Sequence, residues 1–178
     1  MSYITPENLK KFSNKIPSDE TLLQSYCDSA EQIIEKYLGY SPELKTYETS
    51  ERGIGSRYFA LEAKPVTAVS AVSADGTAID LTQIKIIKGL NYIAFDDESE
   101  FLRGVKYSVS YTAGYETVPS QIVTVGLQIA SLLWESAGGN LAVTSTSYGD
   151  MGGRTFQSFK PDRFLDQIAE YKLSKVSY

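Results

Sequence analysis

At 178 residues, 42% apolar and 22% charged, the chain has the size and make-up of one ordinary globular domain with a real core, and wholesale disorder is excluded. A net charge of −5 with no sustained basic run argues against gripping nucleic acid by phosphate neutralisation. The complete absence of histidine removes the commonest general base, the commonest metal ligand and every Ser-His or Cys-His pair.

The first predicted element starts at Thr5-Pro6-Glu7-Asn8-Leu9. Thr5 can cap, Pro6 suits the first helical position, and Ile4 can staple onto Leu9; this short helix should end near Phe12 or Ser13. Ser18 is then read as the cap of a longer helix, with Asp19 and Glu20 well placed against the dipole of its first turn. Leu22, Leu23, Tyr26, Cys27, Ala30, Ile33, Ile34, Tyr37 and Leu38 recur every three or four residues, and Gly39 sits where a terminating glycine belongs. The N-terminal helices thus occupy 5–44. From 45 to 112 the texture changes to short β segments: Glu43–Ser50, Arg57–Leu61, Val66–Ser73, Ala78–Leu81, Ile84–Lys88, Tyr92–Phe95 and Val105–Tyr111. Asp75-Gly76 suits a tight hairpin turn. Strands at this spacing with no helix between them imply an antiparallel sheet.

Val105–Tyr111 alternates cleanly, Gly114 permits backbone angles closed to other residues, and Pro119 opens a helix over 119–137. Gln121, Thr124, Gln128, Ser131 and Glu135 form one narrow polar stripe on that helix, which is therefore expected to be buried on most sides. Residues 138–159 are rich in Gly, Ser and Thr without a helical period and are expected to form a mobile loop, ordered by a partner. A last helix is predicted over 161–174, standing apart, with Phe164, Leu165, Ile168 and Tyr171 on one face. The fold class expected is α+β: a small helical bundle with an antiparallel β insert between the second and third helices, plus a C-terminal helix, all in a single domain. No apolar run reaches the roughly 18 residues of a membrane span. The N-terminus lacks the features of a signal peptide and a lone cysteine cannot form an internal disulfide, so a protein made and used from the cytoplasm is expected, with no membrane partner.

No catalytic constellation emerges, so the chain is read as not an enzyme, with no cofactor and no metal. Gly149–Thr155 has the wrong glycine spacing for a phosphate loop and carries Arg154 where the lysine belongs. Cys27 lies on an apolar helix stripe and is read as a buried thiol. Asp96, Asp97, Glu98 and Glu100 lack the spacing of a calcium loop and are read as a solvated turn. Trp134 and the thirteen tyrosines can supply a sugar-stacking platform, although core and interface roles are commoner. A carbohydrate- or receptor-binding tail module is the alternative function.

Three stretches carry a family resemblance. The first runs from Asp19-Glu20-Thr21-Leu22-Leu23 through Ala30-Glu31-Gln32-Ile33-Ile34-Glu35-Lys36-Tyr37-Leu38-Gly39-Tyr40. The second is Leu61-Glu62-Ala63-Lys64-Pro65-Val66-Thr67-Ala68-Val69, with Asp75-Gly76 after it. The third is Val109-Ser110-Tyr111-Thr112-Ala113-Gly114-Tyr115 followed by Val118-Pro119 and Ile122. In order and spacing they resemble the head–tail connector, or adaptor, proteins of tailed bacteriophages and prophages. The last helix departs from that pattern, with only Arg163, Lys172 and Lys175 where the family often carries more arginine.

The resemblance implies a noncatalytic virion assembly protein. Copies would form a ring, typically dodecameric, beneath the portal vertex. That ring would extend the DNA channel and present a surface to a stopper or tail-completion protein, with assembly in the bacterial host cytoplasm. DNA would pass without specific binding, which an acidic lumen favours. The residues expected at partner contacts are Tyr148, Arg154, Phe156 and Phe159 in the loop and Phe164, Leu165, Ile168 and Tyr171 in the last helix. Packing of the helix residues back onto the subunit is the competing expectation.

Overall fold

The computed structural model describes residues 2–13, 19–137, 145–147, 153–155 and 160–173, the two three-residue stretches by backbone alone. Two compact units emerge: Met1–Tyr37 with Pro119–Tyr171, and Leu38–Val118 with Lys172–Tyr178.

The first unit is helical. Helix α1 (Pro6–Phe12) is capped by Thr5, whose hydroxyl accepts from the Asn8 N–H, and both Ile4 and Leu9 are fully buried, as the staple requires. Helix α2 spans Glu20–Leu38. Ser18, read as its cap, lies outside the described residues; the Asp19 carboxylate accepts from the Leu22 N–H at 3.2 Å and does that work. Leu23, Cys27, Ala30, Ile34 and Leu38 form the buried stripe, whereas Leu22 is exposed. Glu31 on the same helix accepts from the Ile4 N–H and the Ser2 hydroxyl, both at 2.8 Å, tying the N-terminal segment down.

Helix α3 (Ser120–Ala137) begins directly after Pro119. Its first half is buried at Ile122, Val125, Gly126, Leu127, Ile129 and Ala130. At Gly126 the lack of a side chain admits Ile4 and Ile34: an added Cβ would collide with Ile4 Cδ1 and sit 3.2 Å from Ile34 Cδ1. Burial on most sides holds for the first half; in the second half Leu132, Leu133 and Trp134 are only half-buried. Tyr26 of α2 meets the Trp134 ring edge-on at 6.0 Å.

The C-terminal segment also departs from the expected free-standing helix. After one α turn, α4 (Asp162–Leu165), it tightens into a 3-10 helix over Asp166–Tyr171 with a kink at Ile168. Leu165, Ile168 and Tyr171 are spaced by three, and three residues per turn is what aligns such a set on one side. Leu165 and Ile168 are buried, at 5% and 0% exposure, and the segment packs on α3. Gln121 Nε2 donates to the Gln167 carbonyl at 2.6 Å. Two strands, β8 (Ser145–Ser147) and β9 (Gly153–Thr155), pair antiparallel within the stretch expected to be a loop; the rest of 138–159 lies outside the described residues.

The second unit is a pair of antiparallel sheets. The larger has the order β1-β7-β3-β4 and the smaller β2-β6-β5. The strands are β1 Lys45–Arg52, β2 Tyr58–Ala60, β3 Val66–Ala74, β4 Thr77–Ile79, β5 Ile84–Ile87, β6 Tyr92–Phe95 and β7 Lys106–Ala113. Asp75 and Gly76 both take positive φ in the β3–β4 turn, as Asp-Gly predicts. Tyr107, Val109, Tyr111 and Ala113 of β7 are buried while the alternate residues are not, so period two reads true. Rings fill the interior: Phe101 lies 4.5 Å from Phe95, 5.0 Å from Tyr107 and 5.2 Å from Phe59 between ring centres.

Candidate interaction surfaces

The candidate reactive groups named from the sequence have definite places in the structure. Cys27 is fully buried, and desolvation, reinforced by the negative charges of Asp28 and Glu31, pushes its thiol up to about 11. A protonated buried thiol is not a nucleophile. The acidic Asp96–Glu100 stretch is a turn: the Asp97 carboxylate accepts from the Ser99 N–H at 3.0 Å, which holds its pKa below the usual range, and Glu98 meets Arg57 at 3.3 Å. Among the described residues no group of three or more His, Cys, Asp or Glu side chains is placed to hold a metal ion. A small hollow of about 60 Å³ lies among Arg57, Tyr58, Lys85, Ala94, Phe95 and Glu98. Tyr58 and Phe95 are the aromatic residues that line it, and the Tyr58 ring meets that of Tyr92 beside it edge-on, at 61°.

What the sequence builds with care is the corner after β7. Gly114 has φ +107, and a Cβ there would run into the carbonyl of Glu43, with Glu43 C at 2.6 Å and Leu44 N at 3.0 Å. Three chain segments are stitched at this point. The Gly114 N–H donates to the Pro65 carbonyl at 3.0 Å, Tyr115 N–H to Pro42 at 2.9 Å, and Leu44 N–H to Tyr115 at 3.1 Å. Just upstream, the Tyr111 hydroxyl accepts from the Glu62 N–H at 2.9 Å and sits 3.3 Å from the Thr49 hydroxyl. The corner therefore joins the lead-in to β1, the cis Lys64–Pro65 entry to β3, and the end of β7. Glu62 and Pro65 come from the second of the stretches that carried the family resemblance, and Tyr111, Gly114 and Tyr115 from the third.

A family model described as "HCP: Head completion protein" matches residues 2–131. This chain belongs to the head completion protein family. That agrees with the head–tail connector resemblance read from its motifs. The fold of this head completion protein is also found in solved particle structures. A chain in the neck of the native gene transfer agent particle, computed with C12 symmetry, aligns with TM-score 0.61 at 13% identity, over 89% of this chain and 85% of that one. A chain in the virion of the native gene transfer agent particle gives 0.59 at 13% over 91% and 82%. One in the neck of the empty particle, computed with C6 symmetry, gives 0.58 at 14% over 90% and 82%. At such identities the likeness is one of fold. No curated protein sequence matches the chain.

The head completion protein places its expected partner residues unevenly. Tyr148, Phe156 and Phe159 lie outside the described residues. Arg154 is the middle residue of β9, opposite Thr146. Phe164 is half-buried beneath the Arg163 guanidinium, 4.5 Å above its ring, and Tyr171 is half-buried with its hydroxyl 3.5 Å from Gln121 Oε1. Leu165 and Ile168 face inward, toward their own unit. Sequence reasoning passed over Leu102, the most exposed large apolar residue described; the half-exposed Leu132–Trp134 end belongs to the helix read as buried on most sides. No helix is long and apolar enough to cross a membrane among the described residues.

Proposed function

We propose that this head completion protein is a noncatalytic structural part of the neck of a tailed phage or phage-like particle. Copies assemble as an adaptor ring, dodecameric in the virion, between the portal vertex and a stopper or tail-completion protein, and the ring extends the DNA channel. The observation that carries this reading is family membership across residues 2–131. The fold shared with neck chains of a gene transfer agent particle supports it. So do the net charge of −5, which lets DNA cross without sticking, and apolar surface left open on Leu132–Trp134, which suits contact with another chain. Assembly takes place in the host cytoplasm.

In this reading Tyr148, Arg154, Phe156, Phe159, Phe164 and Tyr171 meet the portal or a neighbouring copy. Leu165 and Ile168 contribute indirectly, by fixing the segment that presents Phe164 and Tyr171. Mass by light scattering, with and without the portal protein, tests the function. A ring in either condition is expected; a strict monomer with no affinity for the portal would overturn it. Phe164→Ala with Tyr171→Ala should weaken portal capture while leaving the circular dichroism spectrum unchanged.

A further inference from the structure

The four-stranded sheet ends in two strands of different character. β4 has three residues, and so short an edge offers little for another strand to pair along. β1 has eight, pairs with β7 at every position from Lys45↔Ala113 to Arg52↔Lys106 without a bulge, and contains neither proline nor glycine. Just beyond it, the Gly53 N–H donates to the Val105 carbonyl at 2.8 Å. That bond fixes the antiparallel alternation: odd-numbered residues of β1 turn their N–H and C=O toward β7, and Thr46, Glu48, Ser50 and Arg52 turn theirs away. All four are exposed. The usual protections of an edge are a proline, a bulge, or charged residues along it. β1 has neither proline nor bulge, and its charges are of both signs, Lys45 and Arg52 at the ends with Glu48 and Glu51 between them.

The second observation is the β8–β9 hairpin. It is a sheet of its own, paired Ser145↔Thr155, Thr146↔Arg154 and Ser147↔Gly153, and joins no other strand among the described residues. An isolated two-stranded hairpin is marginal in water, and three residues per strand is short even for one. Each of its strands uses one edge on the other and keeps one edge for a third strand.

A long, unbulged edge and an unsupported hairpin in the same chain are complementary. We propose that β1 of one copy accepts the β8–β9 hairpin of the next by strand addition, extending the four-stranded sheet across the subunit boundary. The contact is heterologous, so every copy in a closed ring gives one hairpin and receives one. This rests on the ring reading above and names the elements that join its copies.

The test uses the full chain carrying Ser50→Cys and Thr146→Cys together. Cys27 is fully buried and adds no background. After mild oxidation, alone and with the portal protein, a ladder of disulfide-linked multimers is expected on a non-reducing gel, and is expected to be missing from either single variant. Dimers from Ser50→Cys alone would mean that two β1 edges pair with each other and would overturn the proposal. So would a link confined to monomers. An assembly of unchanged mass with no ladder sinks the hairpin–edge contact and leaves the ring standing; a chain monomeric in every condition sinks the ring and the contact with it. Glu48→Pro removes one outward N–H and spares the β7 ladder, so it should reduce the multimer to monomer, while Glu48→Ala assembles as the parent does. If Glu48→Pro instead keeps its mass and loses only portal capture, the edge belongs to the portal and the proposal fails.

Discussion

Gly114→Ala is the substitution that most directly tests why the corner after β7 has its sequence. Two costs add. A non-glycine residue held at φ +107 is in a sparsely populated conformation, worth about 1–3 kcal/mol. The new Cβ also collides with the Glu43 carbonyl, which is main chain held by the Leu44–Tyr115 and Tyr115–Pro42 bonds and cannot swing aside as a side chain would. Overpacking of this kind costs about 1–3 kcal/mol. The sum, about 2–6 kcal/mol, is a large share of the roughly 5–15 kcal/mol that keeps a domain folded. For a chain of this length it corresponds to a fall of about 10 °C in Tm. Gly76→Ala provides the comparison: φ is +84 there, but nothing lies within 4 Å of an added Cβ, so only the conformational cost of about 1–2 kcal/mol remains. Urea unfolding of both variants, followed by tryptophan fluorescence and far-UV circular dichroism, separates the two terms. If Gly114→Ala loses no more than Gly76→Ala, the close approach of the Glu43 carbonyl carries no energy and the account of the corner is wrong.

Four further outcomes follow from the same packing. Gly126→Ala should cost about 0–2 kcal/mol, overpacking against the tips of Ile4 and Ile34 being offset by about 1 kcal/mol of helix propensity, and combining it with Ile4→Val should recover part of any loss in a double-mutant cycle. Tyr111→Phe removes the acceptor of the Glu62 N–H and should cost about 1–2 kcal/mol by urea titration, with no change in mass. Ile168→Ala, at a fully buried site, should cost about 2–5 kcal/mol and open the C-terminal segment to limited proteolysis; a variant as resistant as the parent would mean that the segment is not docked. The Cys27 thiol, raised from 9.0 to about 11, contributes stability that is complete below pH 9 and is lost as pH rises through 11, a fall to which the raised Tyr111 hydroxyl adds. Urea midpoints between pH 8 and 11 should decline, less steeply in Cys27→Ala, and native protein at pH 8 should resist iodoacetamide.

Local rules made much of this fold readable. The Thr5 cap, the Asp75-Gly76 turn, the alternation in β7 and the proline start of α3 each depend on a few neighbouring residues, and each was visible as a pattern. What was not readable depends on residues far apart in the chain. That β7 lies between β1 and β3 is set by pairings such as Thr49↔Val109 and Val72↔Val109, and nothing local records them. Phe101 follows an acidic turn, and its place among Phe59, Phe95 and Tyr107 comes from the closing of two sheets. The C-terminal segment showed a spacing of three that fits a helix of either kind, and only its docking on α3 decided for the tighter one. The partner residues were the least legible, because an apolar side chain looks the same in sequence whether it meets its own chain or another. Leu165 and Leu132 illustrate this: both are apolar residues on predicted helix faces, one buried and one half-open.

The burial pattern along α3 runs parallel to the reach of the family match. Burial is dense from Ile122 to Ala130 and slackens from Ser131 onward, and the family match ends at residue 131. Packing offers a reason for the coincidence. Ile4, Ile34, Gly126 and the Gly114 corner all lie inside the matched region, and each is constrained by atoms that leave no room for change. From Ser131 to Ala137 the side chains are half-buried or exposed, with Trp134 edge-on against Tyr26. The constraint does return at Leu165 and Ile168, but as two buried anchors on a short segment, which many sequences can supply. The tightest glycine sites described, Gly53, Gly114 and Gly126, thus all fall before residue 131, and the half-open end of α3 follows it.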